Sequence, residues 1–128
     1  MKIERFEDLE CWKEARILVN MVYDAIHSNG RFERDYGLRG QVTDAAVSSM
    51  SNIAEGFSRH SNKEFAQFLF ISKGSVSEVQ SILYVALDQA YMLFIFKDLK
   101  NYLRFLVVFC HAGMSGILLQ RKIPDKRE

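Results

Sequence analysis

No proline interrupts the first 123 residues of this 128-residue chain; the only one is Pro124. Proline in a helix interior removes a hydrogen bond and clashes with the preceding turn, so its absence permits long unbroken helices. The apolar residues then favour helix over strand, because they recur at steps of three and four. Leu9, Trp12, Ala15, Val19, Val22 and Ile26 form one such stripe. They predict a first helix over about residues 8–29, with Asp8 as N-cap and Gly30 as stop. Arg31 to Asp35 reads as a short charged connection.

A second helix is predicted over about residues 36–57, with Leu38, Val42, Ala45, Ser49 and Ile53 inward. It is crowded with alanine and serine, which let a neighbouring backbone approach closely. Ser61-Asn62-Lys63-Glu64 has the form of a capping box and starts a third helix, about residues 62–91. This helix carries two stripes. One is Phe65, Phe68, Ser72, Ser75, Val79, Ile82 and Ala86; the other is Phe70, Ser77, Tyr84 and Tyr91. A fourth helix is predicted over about residues 97–121, with Leu99, Leu103, Leu106, Cys110, Gly113 and Ile117 inward. No alternating strand pattern, internal repeat or domain boundary competes. The expectation is an all-α fold, an antiparallel up-down four-helix bundle in one domain over residues 1–128.

One bundle face cannot bury both stripes of the third helix. A helix in a bundle hides a stripe of roughly 100°, and larger apolar surfaces mark partner sites. Self-association is therefore expected. Phe70, Tyr84, Phe94, Ile95, Phe96 and Phe105 are the interface candidates.

Charge constrains the partners. Lys and Arg total 17 against 16 Asp and Glu, a net charge of +1, without the basic excess of a dedicated polyanion binder. The opening Met1-Lys2-Ile3-Glu4-Arg5 leads into polar sequence and does not read as a secretory leader. The most apolar run, Phe105 to Leu119, falls short of the ~20 residues a membrane span needs. A soluble, cytoplasmic protein with no membrane contact is expected.

Motifs for chemistry are sparse. His27, His60 and His111 have no metal-ligand spacing, and Cys11 and Cys110 lie in apolar stretches as buried thiols. No metal or cofactor is expected. Lys73-Gly74-Ser75 imitates the end of a phosphate loop, but it lacks the upstream glycine and falls mid-helix. Glu55 and Glu78 are the only carboxylates in suggestive company, and hydrogen bonding within the bundle accounts for them better than acid–base catalysis. Gln41, Ser48, Asn52 and Glu55 fall near one face of the second helix, with Ser75 and Glu78 one turn apart on the third. If the two faces meet, these groups form a structural polar network that fixes helix register. Arg39, Arg59, Lys63 and Lys73 are the candidates for phosphate contact.

Several of these residues form a joint pattern. Asn52-Ile53-Ala54-Glu55-Gly56 is followed by Arg59, Ser61, Lys63, Phe65, Phe68, Gly74-Ser75 and Glu78. Phe6-Glu7-Asp8-Leu9 with Trp12 and Ala15 precedes it, as do Tyr36-Gly37-Leu38, Gln41, Ala45-Ala46 and Ser48. Together they resemble the four-helix-bundle proteins encoded in intervening sequences of bacterial 23S ribosomal RNA genes. The match covers about residues 6–91 well and the last helix loosely. The resemblance implies a four-helix bundle and kinship with the accessory variability protein of diversity-generating retroelements. Those relatives form pentameric rings, bind nucleic acid and associate with a reverse transcriptase.

The chain also departs from that pattern. Thr43 and Asp44 stand where the family tends to carry two basic residues, and Ser49-Met50 where it often has Ile-Pro. Met92-Leu93-Phe94-Ile95-Phe96 replaces a usually polar turn. The expected function is a non-catalytic homo-oligomeric scaffold, a pentamer by resemblance. It would bind RNA or DNA weakly, or a nucleic-acid-handling protein such as a reverse transcriptase. The alternative is a protein–protein interaction module with no nucleic-acid contact.

Overall fold

The structure is a computed structural model, and it describes residues 3–92 and 97–104. Every regular element among these residues is helical. A 3-10 turn at Phe6–Asp8 leads into α1 (Glu10–His27), α2 (Gly30–Arg34), α3 (Tyr36–Phe57) and α4 (Asn62–Asp88). Residues 97–104 are again helical. The remainder of the fourth predicted helix lies outside the described residues.

The first helix is shorter than its periodicity suggests. Asp8 does not cap it: its carboxylate takes the guanidinium of Arg5 at 3.2 Å, and extended Leu9 stands at the N-cap. Gly30 does not stop it either. The helix ends at His27, where the Ser28 hydroxyl donates to the Ala25 carbonyl at 2.8 Å, and Gly30 opens α2. The expected connection over residues 31–35 is thus largely helical. Asn29 Oδ1 accepts from the N–H groups of Arg31 and Phe32 at 2.9 and 3.1 Å, and Phe32 is fully buried. A cap and one buried ring are enough for a single turn that has no periodicity of its own.

The inward face of α1 is Cys11, Ala15, Leu18, Val22, Ala25 and Ile26. Trp12 and Val19, both expected inward, are half-buried at its edge, and Trp12 lies edge-on to Phe6 with ring centres 5.2 Å apart. On α3 the inward residues are small or medium: Val42, Ala45, Ala46, Ser49, Ile53 and Gly56. That allows α4 to run back along α3 at close range. Gly56 meets Phe65 and Phe68, Ser49 meets Ser72, and Ser48 meets Ser75. A Cβ on Gly56 would fall 2.5 Å from that of Phe68, so this close approach requires glycine.

α4 begins with a modified capping box. The Glu64 N–H donates to Ser61 Oγ at 3.2 Å, and the serine hydroxyl donates to the Glu64 carboxylate at 3.1 Å. The helix ends at Asp88, before the predicted 91, in a Schellman turn. The Tyr91 N–H bonds the Ala86 carbonyl and the Ala90 N–H bonds that of Leu87, each at 2.9 Å, with Ala90 in the left-handed position at φ 59°.

The core divides along the helices. Leu9, Cys11, Ala15, Ile53, Phe65 and Leu69 fill one end. The larger cluster runs from Leu18 and Val22 through Phe32, Val42 and Val79 to Leu99 and Leu103. Leu99 and Leu103 anchor the segment 97–104, and the Tyr102 hydroxyl ties it to α1 by donating to the Glu14 carboxylate and lying 2.9 Å from its carbonyl oxygen.

Candidate functional site

Small polar side chains form a seam where α3 meets α4. Asn52 Nδ2 donates to the Ser48 carbonyl at 2.8 Å and to Ser48 Oγ at 2.9 Å. Ser48 Oγ lies 3.0 Å from Ser75 Oγ, and the Ser75 hydroxyl donates to the Ile71 carbonyl at 3.2 Å. One proton order satisfies all of them: Asn52 N–H to Ser48, Ser48 O–H to Ser75, Ser75 O–H to Ile71. A second crossing lies one step deeper, where the buried Ser72 hydroxyl donates to the Ser49 carbonyl at 2.6 Å.

Of the six residues expected in a polar network, the structure brings together Ser48, Asn52 and Ser75. Gln41, Glu55 and Glu78 are exposed and lie outside the seam. Glu55 instead takes Arg59 Nη2 at 2.9 Å. Their helical spacing places them near the right face but not on its buried side. The Ser72–Ser49 crossing escaped sequence reasoning. Its signal was present, since both serines occupy inward stripe positions, where a hydroxyl must find a partner.

The basic candidates do not form one patch. Arg39 is near the start of α3 and Arg59 just past its end, so the length of the helix, about 30 Å, separates them. Arg59 is paired with Glu55 and lies over the Phe68 ring, 4.9 Å from its centre. Lys63 is exposed at the start of α4, and Lys73 is half-buried further along it. Arg39 Nη1 donates to the Glu33 carbonyl at 3.2 Å, which holds it beside α2. Around it lies a corner that the sequence reading passed over as a connection: Arg31 and Arg34 on α2, and Tyr36, which is 74% exposed, at the head of α3.

The second stripe of α4 stays largely outside the core. Phe70 is 55% exposed, with Ile71, Tyr84 and Val85 also open to solvent. Lys100 covers the Tyr84 ring from 5.3 Å. Tyr91 departs from this stripe because the Schellman turn swings it inward. Its ring stacks on Phe32 at 5.3 Å, and its hydroxyl donates to Asp35 at 3.0 Å. Phe94, Ile95, Phe96 and Phe105 lie outside the described residues.

Two tyrosine hydroxyls titrate abnormally. Tyr91 is raised above its usual value by its hydrogen bond to Asp35, and Tyr102 by burial and then by its bond to Glu14. His27 faces Glu33 at 3.6 Å, and His60 is exposed. Cys11 is buried, whereas Cys110 and His111 lie outside the described residues. No group of three or more potential metal ligands occurs among the described residues, and none of their helices is long and apolar enough to cross a membrane.

Comparison with curated proteins gives no match. The family description 23S rRNA-intervening sequence protein matches residues 7–105, from the turn before α1 through α4 and into the following helix. With most of its length covered and a helical fold beneath the match, the chain belongs to the 23S rRNA-intervening sequence protein family.

Proposed function

We propose that this protein is a non-catalytic, cytoplasmic scaffold that works as a homo-oligomer, a pentamer by resemblance. Each copy is an antiparallel up-down four-helix bundle. The observation that carries the reading is the exposure of two apolar pairs on α4, Phe70–Ile71 and, about 20 Å further along, Tyr84–Val85, with Ser77, Glu78 and Ser81 between them. Exposed apolar pairs of this size are costly to leave in water, and their grouping on one helix favours a surface that another molecule covers. The scaffold would hold RNA or DNA weakly, or a nucleic-acid-handling protein such as a reverse transcriptase. Arg39, Arg59, Lys63 and Lys73 are the residues proposed to meet phosphate. With a net charge of +1 binding would be modest, and it would weaken as salt rises in proportion to the number of phosphates these residues meet.

A retardation assay at low salt with RNA and with DNA tests the nucleic-acid branch, and absence of any shift would remove it. The pairing of Arg59 with Glu55 favours a second reading, a protein–protein module without nucleic-acid contact. That reading expects a partner whose capture survives nuclease treatment.

A further inference from the structure

Tyr36 is the most exposed of the large apolar residues described, at 74%. It does nothing for the start of α3, because Asp35 caps that helix through the Leu38 N–H at 3.2 Å. An aromatic ring left in water gives the fold no burial energy. Three arginines and two acids lie within five residues of it in sequence, a local excess of one positive charge. Arg31 and Arg34 are exposed on α2 and Arg39 is half-buried on α3, and none of the three is in an ion pair among the described residues. By contrast, Arg5, Lys13 and Arg59 each hold a carboxylate.

The two acids of this corner have partners other than the three arginines. Glu33 faces His27 at 3.6 Å, while Asp35 caps α3 and accepts the Tyr91 hydroxyl at 3.0 Å. The arginines are also positioned, Arg34 with its guanidinium folded back against Gly30, where a Cβ would meet Nη1 at 3.4 Å. Arg31 lies over the Tyr91 ring at 5.3 Å, and Arg39 bonds the Glu33 carbonyl at 3.2 Å. Beside the ring the helix surface is bare: a Cβ on Gly37 or Gly40 would meet nothing within 4 Å.

The geometry points to a single-stranded nucleic acid at this corner, with one unstacked base on the Tyr36 ring and the flanking phosphates on Arg34 and Arg39. An exposed ring among positioned cations is the pattern by which proteins hold single strands with little sequence preference. A duplex hides its base faces and offers phosphates alone. The inference rests on the nucleic-acid branch of the proposed function, and it moves the contact away from the Glu55-paired Arg59.

The test is fluorescence anisotropy of the full chain with a labelled mixed-sequence single strand of roughly a dozen nucleotides, at several salt concentrations. Tyr36→Ala should weaken binding about tenfold, while Tyr36→Phe, which keeps the ring, should not. Arg34→Gln and Arg39→Gln should each weaken binding and reduce the log–log salt slope by about 0.7. The melting temperature of Tyr36→Ala should be unchanged, because the ring is outside the core. If the strand binds but Tyr36→Ala binds it equally well, or if a duplex binds as tightly as the strand, this assignment is overturned and the proposed function stands. If the unmodified chain binds neither strand nor duplex at low salt, this assignment and the nucleic-acid branch of the proposed function fall together.

Discussion

Gly40 and Gly56 belong to the same helix and answer to opposite forces. At Gly40 a Cβ would meet nothing, so alanine there restricts the unfolded chain and restores helix propensity at no steric cost. Gly40→Ala should raise stability by about 0.5–1 kcal/mol. At Gly56 the same methyl group would fall 2.5 Å from Phe68 Cβ and 3.0 Å from Phe65 Cδ2, in a place where two helices touch. Gly56→Ala should cost about 1–3 kcal/mol, by forcing α4 away from α3. Urea unfolding of the two variants checks both signs, and a loss at Gly40 would show that its backbone is in use. The tyrosines give a second test at this scale. Both Tyr91 and Tyr102 are raised above the usual 10.0 in the folded chain, by the Asp35 bond and by burial respectively. A group raised on folding contributes stability that is complete below its unfolded value and is lost as pH rises through the folded one. Urea midpoints should therefore hold steady up to about pH 10 and fall above it. Tyr102→Phe should remove part of that alkaline fall, and an unchanged pH profile in this variant would count against the burial and the Glu14 bond that raise it.

The elements differ in how much of each was legible in the sequence. α3 begins and ends where its periodicity and small residues place it, at Tyr36 and Phe57. Ser61 marks the start of α4 because capping is a local interaction, written in residues three apart. α2 was illegible for the converse reason: five residues are too few to show a period, and what makes them helical is the Asn29 cap together with burial of Phe32 by distant residues. The face of α1 was only partly legible. Ala15, Val22 and Ile26 lie on both the predicted and the observed stripe, and packing against α3 decides that Leu18 goes inward rather than Val19. The Arg–Tyr corner went unseen with α2, since that turn is what assembles it. The end of α4 was misplaced by three residues because the position that takes the left-handed turn is an alanine, not the glycine that announces such a turn. That residue carries a prediction. Ala90 at φ 59° holds a conformation that costs an L-residue roughly 1 kcal/mol, while its Schellman bonds are made by backbone alone. Ala90→Gly should keep both bonds and raise stability by about 0.5–1 kcal/mol in urea unfolding. A loss of stability would mean that the methyl group, not the turn, holds the end of α4.

For the whole molecule, the sign of the response to salt separates the two forces that could bring partners to it. The exposed α4 row is made of two apolar pairs, Phe70–Ile71 and Tyr84–Val85, and burial of such surface is insensitive to simple salt and strengthened by excluded salts such as sulfate. Phosphate contacts release counterions and weaken steeply as salt rises. If copies meet through the α4 row, the mass from light scattering should exceed the 14.8 kDa of one chain and persist, or increase, at high salt, while any nucleic-acid affinity disappears. Phe70→Ser combined with Ile71→Ser should lower that mass without lowering the melting temperature of the single chain, because both side chains are more than half exposed and contribute little to its core. Should this double variant melt at a much lower temperature instead, the row would be serving the fold of one copy. Should the unmodified chain scatter as a single copy at the highest concentration reached, in low salt and in high, the row would need an occupant other than the protein itself, and the scaffold reading would lose the contact on which it depends.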